Sequence, residues 1–421
     1  MAKICQRDRS TRPLASEQGT ALRLLNVAQT YYPYLAEGGR PTKVRILSRK
    51  LAERGHDVTV LTANLGSADW VRIVEPAEKT AMGLRTTEGR VVAIYLPTWA
   101  RYRTLTINPR VLRFCKESLK NFDVVHFYGL YDLLGPAVSY FCRRLSIPYF
   151  IEPMGMYRPI DRGIQLKRIW HRSVGNAFWR KAYKIIATSE MEEQELLDEG
   201  TAPQRVVVRY NGIEAGISAT ASARDGFRAR RGLPLSEPLI FFLSRLIPRK
   251  GADILIEAFA QACPGSGRLV IAGPEGEPGY RAHLEKCAAD SGVATRVIFT
   301  GPLYDEEKKA AFAEADLFVL PSRYENFANV AAEAMAYGVP VIITPYCGIR
   351  TLVEEGHAGL VVVPEKRPLA EALHRIVHDE ILRSGLKEGC RAVAEKLSWD
   401  RLAEQMEKYY DEAMVAKNGS H

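Results

Sequence analysis

No apolar stretch in this 421-residue chain approaches the roughly 18 residues that a membrane-spanning helix needs. The apolar runs, such as Leu239–Leu243 and Gly359–Val363, are only strand-sized. The first 20 residues are polar and charged, with no apolar block before a small-residue cleavage site, which argues against a secretory signal peptide. Cysteine is scarce. Its seven copies include no C-x-x-C, so neither a zinc knuckle nor a disulfide framework is expected. A reducing cytoplasm is then the simplest compartment. No two aspartates are separated by a single residue, and no His/Cys/Asp cluster has metal-ligand spacing. The expectation is an absence of both metal and bound cofactor. Hydrophobic residues at 47% and charged residues at 25% leave a soluble globular protein and argue against a disordered, fibrous or coiled-coil chain.

The net charge of +9 is unevenly spread. Residues 1–210 carry 33 Lys and Arg against 20 Asp and Glu, whereas the remainder carries 25 against 29. A basic first half suggests an anionic neighbour: a membrane surface, a phosphorylated substrate or nucleic acid.

Short, β-branched apolar runs alternate with helical patterns. In the first half, Leu22–Val27, Val58–Thr62, Val91–Tyr95, Val124–Phe127, Tyr149–Ile151, Ile185–Ser189 and Val206–Tyr210 read as strands. Their interiors do not alternate, so both faces should be covered, as in a parallel sheet. Between the first two lies Pro41 to Gly55, a crossover helix with Val44, Leu47 and Leu51 at helical spacing. The second half repeats the theme with Leu239–Ser244, Arg268–Ala272, Arg296–Thr300, Leu317–Pro321, Val339–Thr344 and Leu360–Val363 as strands. Helices are expected over 251–262, 279–291, 305–315 and 329–337. Two doubly wound α/β domains in tandem follow, with a boundary between Asn211 and Pro238. Ligands of open parallel sheets bind at the carboxyl ends of the strands, which makes the cleft between two such domains the expected site.

The strongest motif runs from Pro321 to Pro340: a strand end, a loop with Glu325, then a helix opening near Asn329 and ending at Gly338. Such a helix start offers the amides of Phe327, Ala328 and Asn329 to an anion. Glu325 sits too close to that anion to bind it and suits sugar hydroxyls better. Glu333, on the second turn, suits a ribose diol. Both could equally be helix-start carboxylates favoured by the macrodipole. At the first strand of the second half, Arg245 and Lys250 flank a strand-to-helix turn before Gly251. Two cations there can neutralise a departing diphosphate, although loop cations are often merely solvated. After the first strand, Gly38 and Gly39 open a helix and would let the backbone approach a ligand. An ordinary tight turn has the same look.

Together these elements resemble the retaining nucleotide-sugar glycosyltransferases of family 4, whose GT-B fold sets two Rossmann-like domains face to face across a cleft. Glu325 and Glu333 match the family's E-x7-E element, Arg245 and Lys250 its R-x4-K pair, and Gly38 and Gly39 its N-terminal glycines. The resemblance implies an acceptor-side domain over 1–213, completed by a closing helix over 399–416, and a nucleotide-sugar domain over 214–398. It implies that Arg245 and Lys250 bind the donor diphosphate and that Glu333 binds the ribose. Glu325, Phe327, Ala328 and Asn329 would hold the transferred sugar and phosphate, with the Gly39 amide on the diphosphate. Two positions depart from the pattern: Ala328 and Ser244 stand where glycine is usual, and Ala328 should narrow the sugar pocket by one methyl.

His126 ends the strand Val124–Phe127, where the family often carries a histidine near sugar and acceptor, and Tyr128 stands where a second is common. A buried structural histidine is the alternative. Glu152, another strand-end residue, is an acceptor-side candidate. Arg158 to Lys184 holds eight basic residues, one acidic residue, and Trp170, Phe178 and Trp179. That mixture suits an anionic membrane surface or a lipid-phosphate acceptor, unless the aromatics face the core. No recognised nucleic-acid motif accompanies it.

The resulting expectation is a metal-independent, retaining hexosyltransferase. It would use a UDP or GDP sugar and a glycan or lipid-linked acceptor in surface-polysaccharide or glycolipid assembly. The protein would be cytoplasmic, peripheral on the inner membrane face. The alternatives are an epimerase or phosphorylase on the same scaffold, or a non-catalytic nucleotide-sugar-binding subunit.

Overall fold

The computed structural model describes residues 21–34, 39–66, 77–102, 105–157, 170, 174–214 and 226–419. Gly38 and most of the basic stretch after Arg158 lie outside the described residues. The chain divides into two compact units, one of Met1–Tyr210 with Trp399–His421 and the other of Asn211–Ser398.

In the first unit the strands are β1 (Arg23–Ala28), β2 (Asp57–Ala63), β3 (Glu78–Lys79), β4 (Leu84–Glu88) and β5 (Val91–Leu96). A small hairpin of β6 (Ala100–Tyr102) and β7 (Leu105–Ile107) follows. Then come β8 (Val124–Tyr128), β9 (Tyr149–Glu152), β10 (Lys184–Ala187) and β11 (Val206–Val208). Nine of them form one sheet in the order β11-β10-β9-β8-β1-β2-β5-β4-β3. It is parallel throughout except at the β4 edge, where β4 runs antiparallel to β3 and β5. Successive residues of β1 feed opposite cores: Leu25 and Val27 one, Leu24 and Ala28 the other. That is why its sequence reads as an unbroken apolar run.

The helix Trp399–Asn418 belongs to this first unit. Trp399, Leu402, Met406 and Tyr410 are buried in the second of its two cores. Polar contacts fix its register: Lys50 to Asp400 at 3.0 Å, Arg54 to Glu407 at 2.6 Å, and the Gln405 amide to the Val208 carbonyl at 3.1 Å.

Two features of the first unit differ from the sequence reading. β3, β4, β6 and β7 were not expected, because polar strands such as Leu84–Glu88 carry no apolar run. Phe178 and Trp179 are core residues rather than a membrane-facing pair. Trp179 is buried, stacks on Tyr157 at 4.4 Å and donates to Thr201.

The second unit holds β12 (Leu239–Leu243), β13 (Arg268–Ala272), β14 (Val297–Gly301), β15 (Leu317–Leu320), β16 (Val341–Ile343) and β17 (Gly359–Val361). They form a wholly parallel sheet in the order β14-β13-β12-β15-β16-β17. The winding direction reverses between β12 and β15, so the loops after these two strands flank the crevice where such sheets take ligands.

Candidate active site

The loops leaving β12 and β15 are stitched together. Gly251 has φ 71°, and a Cβ there would lie 2.4 Å from the Pro321 carbonyl oxygen. Only glycine permits this approach. The Arg323 amide then donates to the Arg249 carbonyl at 2.9 Å. This contact brings the buried Lys250 ammonium onto the Glu325 carboxylate as an ion pair. Glu325 is fixed through its backbone as well, bonding Tyr346 and Gly348 of the loop after β16. Arg245, at the mouth of the same β12 loop, is exposed and makes no ion pair among the described residues. One cation is therefore held and the other is open to an incoming anion.

The helix Asn329–Ala336 starts directly behind Glu325. Ala328 caps it in the left-handed conformation, φ 80° and ψ 58°. An alanine there costs about 1–2 kcal/mol that glycine does not. The methyl group expected to narrow a pocket is thus also a source of backbone strain. Phe327 and Ala328 are buried, and the amides of Ala328 and Asn329 have no acceptor among the described residues. The Asn329 side chain accepts a hydrogen bond from Asn211 at 2.9 Å. Ala328→Gly should stabilise the second unit by about 1 kcal/mol in denaturant titrations. An unchanged or lowered midpoint would show that the strain is relieved elsewhere.

Glu333 lies one turn further on, one-third exposed, with its carboxylate 2.6 Å from the ammonium of Lys308 on the helix Asp305–Glu314. The expected ribose-binding carboxylate therefore carries a counter-ion that spacing alone did not reveal. Among the described residues no group of three or more His, Cys, Asp or Glu could hold a metal ion.

The first unit's sheet holds three of the expected site residues. Tyr128 and Glu152 lie at the carboxyl ends of β8 and β9 and His126 lies in the middle of β8, and all three are buried. Glu152 is the shared counter-ion of Lys43 and Arg209, both buried; its second oxygen lies 2.5 Å from the guanidinium. Two buried cations hold this carboxylate, which has no exposed surface. His126 sits 3.7 Å from the same carboxylate through Nε2 and 2.8 Å from the Tyr410 hydroxyl through Nδ1. Burial, and then Arg209 and Lys43, push its pKa well down. Tyr128 stacks on this ring at 4.2 Å. A second buried carboxylate, Glu192, accepts from the Thr188 and Gly155 amides nearby. Gly39 is exposed at the start of the helix Gly39–Glu53, which Lys43 anchors one turn along.

Residues 38–212 match the Glycosyl transferase 4-like domain, and residues 223–393 match Glycosyl transferases group 1. The D-inositol 3-phosphate glycosyltransferase of Acidothermus cellulolyticus is 30% identical over 406 residues, spanning 90% of this chain and 87% of that protein. The chain belongs to the group 1 glycosyl transferases. Among solved structures, Anabaena HepE in complex with UDP superposes with a TM-score of 0.75 at 20% identity, covering 93% of this glycosyl transferase and all of that chain. Sucrose-phosphate synthase from Thermosynechococcus elongatus gives 0.71 at 23% identity, covering 94% of this chain and 100% of its own. The fold is GT-B, two parallel-sheet α/β domains.

Lys43, Arg209, Glu192, Lys308 and Tyr410 of this glycosyl transferase escaped sequence reasoning. A signal existed for Lys43, which lies four residues before Leu47 and so on the buried stripe of its helix. Arg209 likewise ends an unbroken valine run, where a cation must find a partner.

Proposed function

We propose that this chain transfers a hexose-type sugar from a nucleoside diphosphate to a glycan or lipid-linked acceptor, with retention and without a metal. The observation that carries the reading is the held Lys250–Glu325 pair beside two unpaired amides at a helix start, all at the switch point of one sheet. The amides and Arg245 suit a diphosphate, and Glu325 suits sugar hydroxyls. Lys250 is placed to meet the charge that grows on the leaving phosphate as the anomeric C–O bond breaks. A carboxylate already paired with an ammonium is a weak nucleophile. This favours direct transfer, in which the acceptor oxygen bonds the anomeric carbon from the leaving-group face and its proton passes to the diphosphate. The solved complex of HepE with UDP supports a uridine donor.

The test is a thermal-shift screen of common nucleotide sugars, then turnover of the hits in excess EDTA, with the product anomer read by NMR. Abolition by EDTA with rescue by magnesium or manganese would reject the metal-free mechanism, and an inverted product would reject retention. Epimer formation without acceptor, dependence on inorganic phosphate, or binding without even slow hydrolysis would each replace the reading by an alternative class. Within it, Glu333→Gln should weaken donor binding about tenfold or more, the worth of a charged hydrogen bond, with a smaller change in kcat. Unchanged donor affinity in a folded variant would leave Glu333 as a partner of Lys308 alone.

A further inference from the structure

The hairpin β6–β7 is a built element with an unburied surface. It follows β5, and since β1, β2 and β5 are parallel it rises from the carboxyl edge of the first unit's sheet. Its base is fixed by Asn108, 4% exposed, whose amide donates to the Leu96 and Pro97 carbonyls and to Thr98 at 3.0–3.3 Å. Thr106 donates to the same Asn108 at 2.7 Å, and the Trp99 amide donates to the Ile107 carbonyl. A two-stranded hairpin is marginal alone in water, so such anchoring maintains a projecting shape.

What it projects is aromatic and basic. Trp99 is 82% exposed and Tyr102 72%, and Ile107 on β7 and Leu112 on the next helix, Arg110–Glu117, are also exposed. Arg101, Arg110, Arg113 and Lys116 are exposed over the same stretch. From Pro97 to Lys116 there is no acidic residue, and the Glu117 that follows is already paired with Arg113. Amphipathic Trp and Tyr beside exposed aliphatic and basic side chains match the headgroup layer of an anionic bilayer. Exposed Ile107 and Leu112 favour lipid over a bare sugar chain, which would stack on the aromatic rings alone.

We propose that the surface formed by Trp99, Tyr102, Ile107, Arg110, Leu112 and Lys116 docks the first unit on an anionic lipid surface. The hairpin stands at the ligand-binding edge of the sheet, so docking would present that edge to molecules carried in the membrane. The inference does not depend on the transfer chemistry proposed above.

The test uses the full chain and vesicles of phosphatidylcholine, with and without one-third phosphatidylglycerol. Wild type should co-sediment with the anionic vesicles only, and release as salt rises. Trp99→Ser with Tyr102→Ser should lose most of this binding. Arg110→Gln with Lys116→Gln should weaken it about 25-fold, since each basic residue near such a surface is worth roughly fivefold. Trp99 emission, isolated by subtracting the Trp99→Phe spectrum, should shift to the blue on anionic vesicles only, a readout independent of the paired variants' folding. Wild-type binding in either paired variant, no vesicle binding at all, or an unshifted Trp99 overturns the proposal. A changed acceptor KM with unaltered vesicle binding would also overturn it and make the hairpin a glycan platform.

Discussion

Lys250→Ala should lower turnover at saturating donor by about a hundredfold to a thousandfold, the cost of one preorganised stabiliser of developing charge. Two losses combine in this variant. The leaving diphosphate loses a buried ammonium, which water screens less than it screens the exposed Arg245. Glu325 also loses its partner and then stands as an unpaired carboxylate beside an anion. Arg245→Ala removes only a solvated cation and should cost less. The double variant Lys250→Ala with Glu325→Gln should bind donor more tightly than Lys250→Ala alone, because the repulsion goes with the charge. Steady-state kinetics on all four proteins reads both terms. Turnover within a few-fold of wild type in Lys250→Ala would remove Lys250 from the chemistry.

Glu152→Gln should destabilise the first unit by about 3–5 kcal/mol, because it leaves two buried cations without their counter-ion. Total stability of a domain is about 5–15 kcal/mol, so this one oxygen-to-nitrogen exchange consumes a large share. The glutamine keeps the volume and some hydrogen bonding, so packing cannot account for the loss. Burial and the adjacent Arg209 already push the Lys43 ammonium well below its usual range. Adding Lys43→Met to Glu152→Gln should therefore restore part of the stability, a non-additivity that only directly coupled residues show. Chemical denaturation of the four proteins measures it. A Glu152→Gln midpoint equal to wild type would mean that the cluster relaxes or admits water.

The parallel sheets were legible because a strand covered on both faces is apolar at every position, as Leu239–Leu243 is. The strands near the sheet edge were not, since Leu84–Glu88 buries only Thr86 fully and is otherwise polar apart from the half-buried Leu84. The second unit's site was readable as a motif because its parts lie within two loops. Residues 244–251 and 321–333 each carry strand end, charge and helix start in a short span. The first unit's polar cluster has no such span. Lys43, His126, Glu152, Glu192, Arg209 and Tyr410 come from six separate segments and meet only through the fold. Sequence therefore offered His126 and Glu152 as surface chemistry, and the partners that bury them came from far along the chain.

The helix Trp399–Asn418 completes a unit whose other strands all precede residue 210. During synthesis, β1 and β2 leave the ribosome early, yet the face that receives Trp399, Leu402, Met406 and Tyr410 stays open until this 20-residue helix emerges. The second unit is one continuous stretch and has everything it needs before that moment. Domains ordinarily finish in the order in which they are made. Here the order is inverted: the half translated first is the half that closes last, and a nascent chain stalled before residue 399 would keep an apolar face of its first unit bare.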